Sequence, residues 1–152
     1  MLKLRIIDGL KFFEGLTAEE KEMVALLNLR IFKYDPHTLI IKEKAEDKNF
    51  YFLIKGTATV VSGTGKPLAI LKTGDVFGEV AFLDATQNRT ADVIANNEVI
   101  VMRVDKEPFQ TLDPVIREKI KDRLIQVLVS RLVPVHENID LGISSTFGWK
   151  AQ

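Results

Sequence analysis

The chain has 152 residues, 46% hydrophobic and 28% charged, enough for one soluble domain with a buried core. Its 21 basic and 21 acidic residues give a formal net charge of zero, so nothing global draws it to DNA or to an acidic membrane. The absence of cysteine excludes disulfides, thiolate catalysis and cysteine-based zinc sites. Lys3, Arg5 and Asp8 break the apolar run at the N-terminus, and no later segment reaches the roughly 20 apolar residues of a membrane span. A cytoplasmic location is the expectation.

Residues 8–30 read as helical. Leu10, Phe12, Phe13 and Leu16 lead into Thr17-Ala18-Glu19-Glu20, where Thr17 and Glu20 have capping-box spacing. Met23, Val24, Leu26 and Leu27 are expected to form the apolar face. From 31 to 104 the pattern changes to short runs rich in β-branched and aromatic residues. Strands are predicted over Ile31–Tyr34, Leu39–Lys42, Phe50–Ile54, Thr57–Val61, Leu68–Leu71, Thr90–Ala95 and Val99–Val104. Asp35-Pro36, Lys55-Gly56, Ser62-Gly63-Thr64-Gly65 and Asn96-Asn97 supply the turns between them. Many short strands at this spacing imply an antiparallel sandwich or barrel.

Residues 105–133 return to helix. Asp105 is placed to cap a short helix ending near Leu112, and Asp113-Pro114 opens a longer one with Pro at its first position. Ile116, Ile120, Leu124, Val127 and Leu128 form one apolar stripe. Ile125, Val129, Leu132 and Val133 widen it beyond what a helix covering one surface needs. Pro134 is expected to end or kink this helix. Residues 1–134 thus read as one domain, and 135–152 as a tail without clear period.

The chemistry concentrates at Gly78-Glu79-Val80-Ala81 and Arg89-Thr90. A Gly and small residues at a helix start leave backbone N–H groups open to an anion. Arg89, ten residues beyond Glu79, adds a planar fork that matches phosphate oxygens. A carboxylate beside a phosphate would be repulsive, so Glu79 fits only if it faces a hydroxyl such as a ribose 2′-OH. Spacing alone leaves two readings open: a pocket for a phosphorylated ribose, or a structural ion pair between Glu79 and Arg89.

Residues Gly74 to Val93, Gly-Asp-Val-Phe-Gly-Glu-Val-Ala-Phe-Leu-Asp-Ala-Thr-Gln-Asn-Arg-Thr-Ala-Asp-Val, closely resemble the phosphate-binding cassette of cyclic nucleotide-binding domains. The resemblance extends to Leu10…Phe13-Glu14-Gly15-Leu16-Thr17, to Tyr51-Phe52-Leu53-Ile54-Lys55-Gly56 and to the closing helices, over roughly residues 10–133. It implies an antiparallel jelly-roll barrel with an N-terminal helix and C-terminal lid helices. It also implies that Glu79 accepts the 2′-OH, that Arg89 binds the cyclic phosphate, and that Gly78, Val80 and Ala81 line the sugar-phosphate. Thr90 would donate beside them, and Val60 and Leu68 would pack on the base. The ligand implied is cAMP ahead of cGMP. Two departures stand in this chain: Asp35-Pro36-His37 where a turn usually carries Gly, and Lys44-Ala45-Glu46 in place of a Glu-Gly-Asp turn.

Other chemistries fit less well. Ser62-Gly63-Thr64-Gly65-Lys66 lacks the Gly and the Ser or Thr that a triphosphate loop needs at positions 60 and 67, so it reads as a hairpin turn. His37 and His136 lie far apart without nearby ligands, so no metal site is expected. His37 reads as a turn residue and His136 as a solvated tail position. No nucleophile–base or paired-acid arrangement appears, so an enzyme is not expected.

Some bacterial members of the family carry a helix-turn-helix, but the eighteen residues after Pro134 hold only Lys150 as a basic residue, and direct DNA binding is not expected. The reading is a stand-alone sensor module, with helix 114–133 as the element that relays occupancy to a protein partner or pairs with a second copy. The alternatives are a scaffold that keeps the fold with an unused pocket, or the sensor part of a transcription regulator lacking its helix-turn-helix.

Overall fold

A computed structural model describes residues 2–140, with side chains through 131. The strands fall where the β-rich runs lie: β1 Arg30–Tyr34, β2 Leu39–Ile41, β3 Phe50–Lys55, β4 Ala58–Val61, β5 Pro67–Leu71, β6 Val76–Phe77, β7 Asp92–Ala95 and β8 Val99–Val104. They form two four-stranded antiparallel sheets, ordered β1-β8-β3-β6 and β2-β7-β4-β5. The inner faces meet in a core of Tyr51, Leu53, Val60, Phe77, Val93 and Val101. This is the expected jelly-roll arrangement, mainly β with helices at both ends.

β3 explains how the helices attach. Its run Phe50-Tyr51-Phe52-Leu53 is buried throughout, because alternate residues face opposite sides of the sheet and both sides are covered. Tyr51 and Leu53 point to the other sheet. Phe50 and Phe52 join Phe12, Phe13, Phe82 and Phe109 in a second core beneath the helices, with ring centroids mostly 4.6–5.5 Å apart.

The helical N-terminus is not one element. Helix α1 spans Leu2–Gly9, a 3₁₀ turn covers Lys11–Phe13, and α2 runs Ala18–Ala25. The interruption has a local cause. Thr17 must be extended (φ −71°, ψ 167°) to cap α2, and its hydroxyl accepts from the Glu20 N–H while the Glu20 carboxylate accepts from the Thr17 N–H. Of the apolar face expected on α2, Val24 is buried and Leu27 partly so, whereas Met23 and Leu26 are exposed.

The turns that depart from the family pattern are accommodated by residues other than Gly. His37 and Lys44 both adopt φ of 70°, the left-handed region that Gly would enter without strain. Each residue held there costs of order 1–3 kcal/mol. The Ser62–Lys66 segment is the hairpin turn between β4 and β5, closed by Ser62 N–H to Lys66 O at 2.8 Å.

At the C-terminal end, α4 spans Lys106–Gln110 and α5 spans Pro114–Asp140. Asp113 caps α5 as expected, its Oδ1 accepting from the Val115 N–H at 2.9 Å. Asp105 precedes α4 but does not cap it with its side chain. Its carboxylate instead takes two bonds from Arg103, at 2.6 and 3.2 Å.

α5 continues past Pro134, so 135–140 are helical rather than part of a periodless tail. Loss of one N–H and the ring's clash with the preceding turn weaken a helix without always ending it. The expectation for the His136 side chain lies outside the described side chains, and those for Trp149 and Lys150 lie outside the described residues.

Ile116, Ile120 and Leu124 hold α5 on the helical core, while Val115, Ile125 and Val129 are 60%, 49% and 52% exposed. The double-sided stripe is therefore half used.

Candidate nucleotide-binding cavity

β6, unrecognised in the sequence because it is only two residues long, delivers the chain to the site. Val76 pairs with Phe52 and Phe77 with Tyr51, which fixes the next residue, Gly78, at the rim of the sandwich. Gly78 has φ 80° and ψ 10°, and it is followed by the five-residue helix α3, Glu79–Leu83. The position demands glycine twice over. A side chain would be strained at this φ, and a Cβ would lie 3.0 Å from Arg89 Nη1 and 3.3 Å from the Asn49 carbonyl oxygen.

Behind this turn opens a cavity of about 570 Å³, within the size range of small-molecule sites. Gly78, Glu79, Val80, Ala81, Arg89 and Thr90 line one side. Val60, Ala69, Leu71 and Val93 supply an apolar wall, and Leu128 and Arg131 reach in from α5. Of the residues expected at the site, Leu68 alone is not in the lining. Ala69 is the residue paired with Val60 across β4–β5, and it takes that place while Leu68 packs on the inner core. Thr90 lines the cavity from the loop, because β7 begins only at Asp92.

Arg89 and Glu79 are the two buried charged residues among those described, 5% and 3% exposed. They do not satisfy each other through a direct hydrogen bond. The Arg89 guanidinium donates to the Gly78 carbonyl at 2.7 Å, to the Asn49 carbonyl at 2.5 Å, and to both carboxylate oxygens of Asp47 at 2.6 and 3.3 Å. Four of its five N–H groups are thereby used. The Nε–Nη2 edge of the fork grips Asp47, and one Nη1 N–H is left uncommitted.

Glu79 is bonded by Arg131, whose other terminal nitrogen donates to the Val76 carbonyl. Burial raises the Glu79 carboxyl above its usual value, and the Arg131 charge is the strongest influence pulling it back.

The loop before β3 acts as a brace for the cassette. Lys44 N–H donates to the Arg89 carbonyl at 2.7 Å, and Arg89 N–H returns a bond to Ala45 O at 3.0 Å. Lys48 adds a contact to the Asn88 side chain at 3.1 Å. Asp47, Asn49 and Arg131 were not identified in the sequence. Arg131 had a signal, as a lone cation in the apolar run Val127–Val133; Asp47 and Asn49 sit in a polar loop and had none.

The family profile described as "cyclic nucleotide-binding domain" matches residues 31–112, more than half of the chain. The chain belongs to the cyclic nucleotide-binding domain family. It is similar to a cAMP-dependent protein kinase regulatory subunit of Pyricularia oryzae, 36% identical over 116 residues, covering 73% of this chain and 29% of that protein. A Bradyrhizobium diazoefficiens protein named glutaminase 1 is 32% identical over 132 residues, covering 84% of this chain and 21% of its own. The chain thus spans less than a third of the length of these relatives.

Among solved structures, a cyclic nucleotide-binding domain from Methylobacillus flagellatus superposes with a TM-score of 0.78 at 18% identity, covering 95% of this chain and 84% of that one. That likeness supports the fold. The chain is a cyclic nucleotide-binding regulatory domain, and its cavity lies where the cassette residues converge. No helix among the described residues is long and apolar enough to cross a membrane.

Proposed function

We propose that the cavity takes a cyclic nucleoside monophosphate, cAMP ahead of cGMP, and that the domain is a non-catalytic sensor passing occupancy through α5 to a partner protein. The convergence of Gly78, Glu79, Val80, Ala81, Arg89 and Thr90 on one cavity carries this reading. The phosphate sits at Arg89 and the cassette amides, the ribose 2′-OH faces Glu79, and the base rests on Val60 and its apolar neighbours beneath Leu128. α3 is too short to add much dipole, so Arg89 supplies most of the positive charge. The fungal relative is named for cAMP, which supports the order of ligands. Thr90 is the residue whose hydroxyl reaches a guanine amino group if cGMP binds.

Calorimetric titration of both nucleotides, with melting curves, tests the binding. At a ligand concentration a hundred times Kd, binding is expected to add about 2.7 kcal/mol of stability. No shift with either nucleotide at millimolar concentration overturns the sensor reading and leaves the scaffold reading. For that alternative the exposed Val115, Ile125 and Val129 on α5 are the functional surface.

The relay has its own test. α5 carries Leu128 and Arg131 into the cavity and keeps its opposite face exposed, so a ligand that favours one helix placement shifts its population. Amide exchange across 114–131 is expected to slow on binding. Equal protection with and without nucleotide refutes the relay.

A further inference from the structure

α3 borders two hollows. Glu79, Val80 and Ala81 line the nucleotide cavity, and Phe82 and Leu83, the last two residues of the helix, line a smaller groove of about 170 Å³. α4 and α5 close this groove, each with residues four apart: Lys106 and Gln110 from the first, Arg117 and Lys121 from the second. That spacing sets both members of each pair on one helix face. Phe82 and Phe109, both buried, form an apolar floor with ring centroids 5.0 Å apart.

The walls are cationic. Lys106, Arg117 and Lys121 are all partly buried, and none forms an ion pair with an acid among the described residues. The acids nearest in sequence, Glu107, Glu118 and Asp122, are exposed and outside the lining. Recessed cations are ordinarily paired, because drawing a lone charge away from water is costly. Two of the three are held in place by the backbone. Lys106 Nζ donates to the Phe82 carbonyl at 2.9 Å and lies 5.4 Å from the Phe82 ring centroid, and Arg117 Nε donates to the Leu112 carbonyl at 3.0 Å. An ammonium has three donors and a guanidinium five, so both keep donors for an incoming anion.

We propose that this groove docks an acidic segment of a partner protein, with carboxylates on Lys106, Arg117 and Lys121 and an apolar side chain on the Phe82–Phe109 floor. Nucleic acid would need a basic stripe along its backbone rather than three recessed cations over aromatic rings. A formal net charge of zero gives no broad field toward a lipid surface. The exposed Gln110 amide at the same groove can both donate to and accept from a peptide backbone. A segment seated here touches α3, the helix that also borders the nucleotide cavity. Its place as the output of the relay rests on the sensor reading of that cavity, whereas the docking stands on the groove itself.

Fluorescence anisotropy of a labelled peptide, Glu-Glu-Leu-Phe-Glu-Glu, tests the docking on the wild-type chain, Lys121→Glu and Lys66→Glu. Lys-Lys-Leu-Phe-Lys-Lys is the probe of opposite charge. Lys66 is exposed on the β4–β5 turn and borders neither hollow, so its reversal changes the net charge equally and leaves the groove intact. Wild-type protein is expected to bind the acidic peptide at least about tenfold more tightly than the basic one. Lys121→Glu is expected to lose about tenfold for the acidic peptide, and Lys66→Glu less than about twofold. Lys121→Gln, which only removes the charge, is expected to lose about threefold and keeps the test decisive if the reversal unfolds the chain.

Equal binding of the two peptides, equal losses in Lys121→Glu and Lys66→Glu, or no binding of the acidic peptide at millimolar concentration overturns the proposal. Binding of phosphatidylserine vesicles that Lys121→Glu abolishes, with the peptide unbound, makes the groove a lipid site and overturns it too. A wild-type chain that binds the acidic peptide but neither nucleotide upholds the docking and overturns the sensor reading alone.

Discussion

Replacing Arg89 with lysine is expected to weaken cyclic-nucleotide binding by tenfold or more, and replacing it with alanine by about a hundredfold. A hydrogen bond to a charged group contributes about 1.5–3 kcal/mol, and each 1.4 kcal/mol is a factor of ten in affinity. Lysine retains the charge but loses the fork. Here the fork also organises the site, since Arg89 joins the Gly78 carbonyl, the Asn49 carbonyl and Asp47. Lysine cannot hold all three, so the Gly78 turn loosens together with the phosphate contact. Titration calorimetry at constant salt reads the effect. Unchanged affinity in Arg89→Lys would remove Arg89 from the phosphate site.

Leu124→Ala is expected to destabilise the domain by about 2–5 kcal/mol, the range for a fully buried leucine truncated to alanine. Leu124 is 0% exposed and belongs to the core of Phe12, Phe13 and Phe52 beneath the helices. It is the last fully buried anchor of α5 before Leu128 and Arg131 enter the cavity. Its truncation therefore weakens nucleotide binding as well as folding. Urea denaturation should show a lower midpoint at an unchanged slope. A loss below about 1 kcal/mol would mean that α5 is not held on the barrel by this stripe. The Lys119–Glu20 ion pair, at 2.8 Å, also ties α5 to α2 but is partly exposed and adds little.

Most of the fold was legible because its signals are local. The β-branched runs broken by turn residues marked seven of the eight strands, and only β6, two residues long, fell below what periodicity detects. The Thr17–Glu20 box and Asp113-Pro114 marked helix starts through chemistry contained in a few adjacent residues. The same box shows where local reading falls short. It correctly starts α2, yet its extended Thr17 also breaks what the sequence pattern presented as one helix.

The site divides along the same line. Gly78, Glu79, Val80, Ala81, Arg89 and Thr90 are close in the chain, so their gathering on one cavity follows from a short segment, and the sequence by itself determined it together with the family and the β-rich class. The partners of the two charged residues were decided only by the tertiary structure. Asp47 reaches Arg89 across 42 residues, and Arg131 reaches Glu79 across 52.

Residue type marks Arg131 as a lone cation in an apolar run, but neither type nor spacing says which charge pairs with which, because a buried charge takes whichever opposite charge the packing brings near it. The sheet and helix packing sets that choice. It commits one edge of Arg89 to Asp47 and leaves an α5 arginine, rather than Arg89, as the principal charge partner of Glu79.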